Sequence, residues 1–189
     1  NIRILLTMRS HLNLQSAHIL ELDGLEYPSN GNSLDALNFP AVELFNQRAK
    51  RVRPAFSITP ENLPNVNKIC QLTSGLPLAL ELACNRLREF SLERLAQEIE
   101  NNIAILTTKA HDVPARHRSI LEAFALSWND LDVHERSVFS CLSMIRGAFD
   151  LARAEAIAGA DHAMITSLVE KSLVKELEGA RYQMSPIVR

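Results

Sequence analysis

The chain has 189 residues, enough for one large domain or for two or three small ones. Hydrophobic residues make up 47% of it and charged residues 22%, the balance of an ordinary globular protein. The formal net charge of −2 gives no overall attraction to nucleic acid or to an anionic membrane. No apolar run approaches the roughly 20 residues that a membrane span needs, so no membrane partner is expected.

Three cysteines, Cys70, Cys84 and Cys141, lie far apart, each in an apolar helical pattern. An odd and scattered set favours neither a disulfide framework nor a metal site, so we expect reduced core thiols, a cytoplasmic location and no bound metal. Residue 1 is Asn, and an apolar run follows it directly. This start predicts that the chain is a piece of a longer polypeptide.

Two short segments near the start have the character of strands. Residues 2–7 form an apolar run, and residues 17–22 alternate in part before Asp23-Gly24. Two strands without further partners are marginal alone, so we expect them to be the edge of a larger sheet. Arg9 follows the first strand, where ligands of open α/β sheets bind, although its position alone favours a solvated surface arginine.

Residues 34–110 show the periodicity of a helical bundle, after a turn-rich segment over 24–39. Helix starts are predicted at Pro40, after Thr59-Pro60-Glu61, at Pro77 and after Ser91. The basic run from Arg48 to Arg53 falls at the end of the first helix. We interpret it as complementing the helix dipole rather than as a nucleic-acid patch.

The stretch Gly75-Leu76-Pro77-Leu78-Ala79-Leu80 joins two predicted buried helices. A glycine that can take positive φ ends one helix, and a proline with fixed φ begins the next. Taken alone, this pattern favours a corner in a helical core over a loop that contacts a ligand.

The last third of the sequence predicts several short helices followed by a hairpin, which is the order of a winged-helix domain. Asp132 and Glu135 form a capping box, and Glu178-Gly179-Ala180 separates the two hairpin strands. From residue 116 onward there are nine basic and ten acidic residues. The predicted recognition helix, residues 161–174, holds one Lys and two acids, so we expect it to pack against protein rather than DNA.

Motifs for catalysis are absent from the sequence. It contains no G-x-x-x-x-G-K-[ST] loop, no H-E-x-x-H, no C-x-x-C and no G-x-S-x-G. The six histidines are dispersed, so we predict no catalytic residue and no metal ligand.

Three separated signatures occur in one order that resembles the NB-ARC type of STAND signalling ATPase, in its bacterial branch of LuxR- or MalT-like regulators. They are Leu5-Leu6-Thr7-Met8-Arg9, Gly75-Leu76-Pro77-Leu78-Ala79-Leu80 and Tyr182-Gln183-Met184-Ser185-Pro186-Ile187-Val188-Arg189. The resemblance covers nearly the whole chain. It implies a mainly α fold in three parts: the end of an α/β P-loop core over 1–23, a helical lid over 24–112 and a winged helix over 113–189.

The resemblance also implies a nucleotide site. Arg9 matches the arginine that senses the terminal phosphate, and Pro77, with Gly75, Leu76 and Leu78 around it, matches the turn that packs on adenine. Ser185 stands where the family commonly has a histidine that touches the β-phosphate of ADP, which puts that contact in doubt. The phosphate loop and the acids that hold Mg²⁺ would lie upstream. ATP, ADP and Mg²⁺ are therefore expected in a longer protein, and no tightly bound nucleotide in this chain.

The implied function is a switch that ADP closes and ATP opens, in a slow regulatory ATPase or transcriptional regulator; this chain alone would be inactive. The implied partners are an upstream P-loop domain, a downstream sensor or repeat domain and a second copy in the ATP state, with no direct DNA contact. Two alternatives remain: a transcriptional regulator whose winged helix binds DNA directly, and a purely structural helical interaction module.

Overall fold

The computed structural model describes residues 5–8, 18, 20, 22–28, 34–108, 113–114, 117–184 and 187. The described residues form eight α-helices, two 3-10 helices and a small three-stranded antiparallel sheet, so the fold is mainly α as predicted. The chain forms two compact units, one of residues 22–124 and one of residues 125–189 together with 1–21. We call them the helical unit and the C-terminal unit.

Among the described residues of the helical unit, four α-helices lie wholly in it and a fifth begins there. They are α1 (Pro40–Val52), α2 (Leu63–Leu72), α3 (Pro77–Arg86), α4 (Leu92–Asn101) and α5 (Ile120–Asn129), which continues into the C-terminal unit. Short 3-10 helices lie at Leu34–Asn38 and Ile103–Ile105. Apolar residues three and four apart turn inward and form the core, among them Val42, Phe45, Ala49, Val66, Ile69, Leu80, Leu95 and Ile99.

Local signals determine most of these helix starts. Pro40 and Pro77 each occupy the first position of a helix, where a missing backbone N–H costs nothing. The side chain of Ser91 accepts a hydrogen bond from the backbone N–H of Arg94 at 3.3 Å. These three predicted starts are confirmed.

The predicted start of α2 is wrong by several residues. The helix begins at Leu63, after Asn62, and not after Thr59. The amide of Asn62 accepts a hydrogen bond from the Thr59 N–H and donates one to the Ser57 carbonyl, both at 2.9 Å. Because this side chain bonds the backbone that precedes it, residues 59–62 form a turn instead of helix.

A tight corner joins α2 to α3. Gly75 lies in the left-handed region with φ +64°, and its N–H donates to the Cys70 carbonyl at 3.0 Å. Thr73 is fully buried, and its hydroxyl donates to the Ile69 carbonyl at 2.8 Å. The last carbonyls of α2 are therefore bonded within the corner itself.

Residues 24–28, which we call the strap, lie across this corner. Three hydrogen bonds to strap backbone atoms hold it: Leu25 N–H to the Gly75 carbonyl at 2.9 Å, Ala41 N–H to the Glu26 carbonyl at 3.1 Å, and Gln71 Nε2 to the Pro28 carbonyl at 2.8 Å. A Cβ on Gly75 would lie 2.0 Å from the Leu25 carbonyl oxygen, and one on Gly24 would lie 2.1 Å from that of Ser74. The two backbones meet so closely that only glycine fits on either side.

After the end of α5, the described residues of the C-terminal unit form three helices and a sheet: α6 (Val133–Leu142), β1 (Phe149–Asp150), α7 (Leu151–Ala158), α8 (His162–Glu170), β2 (Val174–Leu177) and β3 (Arg181–Met184). The strands lie in the order β1-β3-β2, and both pairs are antiparallel. Val174 lies opposite Met184, and both are buried with Tyr182 on one face. The predicted hairpin around Gly179 is confirmed.

The described parts of the two predicted N-terminal strands are not strands. Residues 5–8, 18, 20 and 22 carry no strand pairing. Leu5, Leu20 and Leu22 are 93%, 83% and 84% exposed, although a sheet edge would bury part of them. Within the described part of the chain no strand lies beside them, and an isolated strand leaves its backbone groups unpaired.

We predict that Gly75→Ala lowers the free energy of unfolding of the helical unit by about 2–5 kcal/mol. About 1–2 kcal/mol comes from the left-handed backbone of a residue with a Cβ, and about 1–3 kcal/mol from forcing that Cβ against the strap. Urea unfolding followed by far-UV circular dichroism measures the loss.

Gly159→Ala is the matched control, because Gly159 has the same φ of +64° but a Cβ added there would meet no described atom within 4 Å. It is expected to cost only the conformational part, about 1–2 kcal/mol. Equal losses of unfolding free energy in the two variants would show that contact with the strap adds nothing to the cost of a Cβ at position 75.

Candidate functional site

Four of the six predicted binding residues lie together at the corner. Gly75 is buried, Leu76 and Leu78 are half-buried, and Pro77 is exposed. Leu76 is extended, with φ −67° and ψ 121°, and its carbonyl accepts the Leu80 N–H at 3.0 Å as the first helical bond of α3. The corner therefore presents the ring of Pro77 to the surface on a backbone that is bonded on both sides.

The other two predicted residues, Arg9 and Ser185, lie outside the described residues. Their approach to the corner stays a prediction. The strap adds a feature that the sequence pattern does not reveal. The composition of residues 24–39 predicts a linker, and only the glycine at position 24 and the proline at 28 hint at a fixed path.

The exposed side of α8 is the surface that a winged-helix reader of DNA would use. It carries His162, Ala163, Thr166 and Glu170, while Ile165 and Leu168 face the core. The helix has neither lysine nor arginine. Since phosphate contacts come chiefly from cations, this surface offers little attraction to a nucleic-acid backbone.

The hairpin of β2 and β3 carries equal numbers of exposed basic and acidic side chains. Its exposed charged residues are Lys175 and Arg181, against Glu176 and Glu178. The hairpin therefore adds no net positive charge to the surface of α8.

Asp132, Glu135, Ser167 and Lys171 form a polar cluster between the start of α6 and the end of α8. The capping box is confirmed: Glu135 N–H donates to Asp132 Oδ1, and Asp132 N–H donates to Glu135 Oε2, both at 2.8 Å. Lys171 Nζ lies 2.5 and 2.6 Å from the two carboxylate oxygens of Glu135, and Ser167 Oγ donates to one of them at 2.7 Å. Glu135 is only 5% exposed, and the cluster joins α6 to α8 beside a surface pocket that Asp132, Glu135 and Ser167 help to line.

The surroundings of Glu135 shift its pKa strongly. Burial of the carboxyl would by itself raise the pKa, but the hydrogen bonds from Lys171, Ser167 and the Asp132 backbone, with the charge of Lys171, outweigh burial and lower it to about 2. The charge of Lys171 is therefore paired with that of Glu135 within the unit.

A bound metal ion needs several ligating side chains close together. Within the described ranges of the chain no group of three His, Cys, Asp or Glu side chains could hold a metal ion. Burial raises the pKa of the Cys70 thiol to about 12 and also raises that of Cys84, so these two of the three predicted core thiols are unreactive. Cys141 is only half-buried, so the prediction of a core position is wrong for it. No helix among the described residues is long and apolar enough to span a bilayer.

Comparison with curated proteins finds mycobacterial relatives. Proteins of Mycobacterium tuberculosis and Mycobacterium bovis named "Putative HTH-type transcriptional regulator" are 33% identical over 159 residues, which is 79% of this chain and 18% of theirs. An uncharacterized protein of Mycobacterium tuberculosis is 29% identical over 126 residues, 67% of this chain and 32% of its own. No family model matches the chain.

The chain spans less than a fifth of the length of these named regulators. Their name describes whole proteins, most of whose length lies outside the matched region. The similarity is thus to one part of a regulator.

We predict that the C-terminal unit loses about 3 kcal/mol of stability as the pH falls from about 4.5 to about 2. The pKa of Glu135 is lower in the folded state, so its contribution is complete above the unfolded value and disappears as the carboxylate is protonated. Urea unfolding at several pH values, followed by the fluorescence of the single tryptophan, Trp128, measures the change.

Glu135→Gln removes the titrating group and should flatten this acid dependence while lowering stability at neutral pH. The exposed Glu155→Gln is the control and should leave both unchanged. An acid transition of the same size in Glu135→Gln and in the wild type would assign the dependence to other carboxylates.

Proposed function

We propose that this chain is part of a DNA-binding transcriptional regulator. The observation that carries the proposal is the 33% identity to named HTH-type regulators over 79% of the chain. These names favour the transcriptional alternative over the ATPase switch, and they count against the expectation that the protein makes no direct contact with DNA.

The order of elements in the C-terminal unit supports its interpretation as a winged helix. A helix, a short strand, two helices and a hairpin follow one another, and the first strand pairs with the last. In such a domain α8 would be the recognition helix and the hairpin the wing. This order, with the names of the relatives, favours direct DNA contact by α8 as one candidate.

The charges around α8 favour DNA contact by other surfaces of the regulator. The exposed side of this helix has no cation, the hairpin is balanced, and Lys171 is bound to Glu135. We therefore propose that the C-terminal unit packs against protein within the regulator and that phosphate contacts come from other surfaces.

The double variant Lys175→Glu/Arg181→Glu tests whether the surface of α8 and the hairpin binds DNA. Fluorescence anisotropy with a labelled mixed-sequence duplex should give an affinity within about twofold of the wild type, because these cations are balanced by neighbouring acids. A loss of about tenfold or more would assign DNA binding to the α8–hairpin surface and support direct contact.

We further propose that the protein contains a nucleotide-dependent switch; this proposal rests on the resemblance to STAND ATPases. The exposed ring of Pro77 on a firmly bonded corner is a suitable platform for an adenine ring. In that arrangement Arg9 and Ser185 would approach the phosphates of ATP or ADP, with Mg²⁺ held by a P-loop domain. The helical unit would be the lid, and its movement would control the regulator.

We predict that this chain alone gives no measurable heat with ADP in isothermal titration, since phosphate contacts supply most of such affinity. In a protein that also contains the P-loop, Pro77→Ala should weaken ADP binding about fivefold, as expected for losing about 1 kcal/mol of ring contact. The exposed Pro60→Ala serves as the control. Unchanged ADP affinity in Pro77→Ala would favour a purely structural corner.

A further inference from the structure

The helical unit carries a concentration of positive charge where α1 and α3 end. We call the six basic residues in this part of the chain the basic patch: Arg48, Lys50, Arg51, Arg53, Arg86 and Arg88. The two ends of the patch meet at Phe90. Arg53 Nη2 donates to the Phe90 carbonyl at 3.2 Å, and the guanidinium of Arg86 lies 5.2 Å from the centre of the Phe90 ring.

Two members of the basic patch are neutralised. Arg48 forms an ion pair with Glu81 at 2.7 Å, and Arg86 forms one with Glu89 at 2.9 Å. Glu81 and Glu89 are thereby used. Glu43 lines the same pocket as Lys50, and its carboxylate accepts a hydrogen bond from Gln47 at 3.1 Å. A further acid, Glu93, belongs to the first turn of α4, where its charge complements the helix dipole.

The other four members keep their charge. Lys50, Arg51 and Arg88 are exposed, and within the described part of the chain they form no ion pair. Arg53 bonds a neutral carbonyl and has no carboxylate partner among the residues that the structure describes. Complementing the dipole of α1 explains cations in the last turn, at about 0.3–1 kcal/mol each, but it does not require several of them to point into solvent.

We propose that the basic patch binds the phosphate backbone of duplex DNA. This inference rests on the proposed regulator function and names the surface that contacts its DNA. Exposed and unpaired cations are what phosphate binding needs, and guanidinium groups can bond phosphate oxygens in a bidentate manner. An acidic protein segment could use the same charges. Duplex DNA is favoured because a DNA-binding regulator needs phosphate contacts and the surface around α8 supplies no net positive charge.

The double variant Lys50→Glu/Arg51→Glu is the decisive change, and Lys175→Glu/Arg181→Glu is its matched control. Both replace two exposed cations by two acids, so the total charge changes equally. Binding of the labelled mixed-sequence duplex is measured at about 50 and about 200 mM salt. With four phosphate contacts the wild-type affinity should fall roughly 150-fold over this range, and with two contacts only roughly 12-fold.

We expect Lys50→Glu/Arg51→Glu to bind the duplex at least about tenfold more weakly than the wild type at low salt, and its affinity to fall less steeply as salt rises. We expect Lys175→Glu/Arg181→Glu to bind the duplex as the wild type does. Equal effects of the two variants would overturn the inference, since total charge alone would then explain binding. Stronger binding of labelled polyglutamate than of the duplex would also overturn it and assign the patch to an acidic protein.

Failure of this inference is distinguishable from failure of the proposed function. If the wild-type chain shows no salt-dependent duplex binding, the basic patch is excluded, but a regulator of the relatives' length could still bind DNA elsewhere. Loss of binding in Lys175→Glu/Arg181→Glu alone would overturn the basic patch and support the winged helix. Circular dichroism of all variants confirms folding, which these exposed substitutions should preserve.

Discussion

The close backbone contact between the strap and the α2–α3 corner is the constraint on which the helical unit depends. Gly24 and Gly75 allow two main chains to approach within the space that a Cβ would occupy. That approach fixes the Leu25 N–H on the Gly75 carbonyl and brings the strap to the start of α1. The corner that displays Pro77 is thus fixed from both sides, by its own helices and by the chain that precedes them.

The two units differ in how their basic side chains are paired with acids. In the C-terminal unit Lys171 is drawn inward to the buried Glu135, and the remaining surface charges largely cancel. In the helical unit, cations at the ends of α1 and α3 exceed the acids available to them, and several remain exposed. The charges of the helical unit are therefore unevenly distributed, with exposed cations concentrated where α1 and α3 end.

Features that depend on neighbouring residues could be predicted from the sequence. The cap at Ser91, the capping box at Asp132 and the hairpin turn at Gly179 each need only a few consecutive residues. Contacts between distant residues could not: the partners of Glu135 lie 32 and 36 residues away, and the strap bonds a corner some 50 residues further along. The strand prediction near Leu5 was wrong for its described residues because strand character without a pairing partner does not make a strand.

The Glu135 cluster also restricts how related sequences can diverge. Replacing one member leaves a buried charge or hydroxyl without its partner, which costs more than replacing all of them with apolar residues of similar size. Positions 135, 167 and 171 should therefore change together or not at all. The strap differs, because its residues Leu25, Glu26 and Pro28 form these bonds through their main-chain atoms, so most of its side chains can vary without loosening the corner.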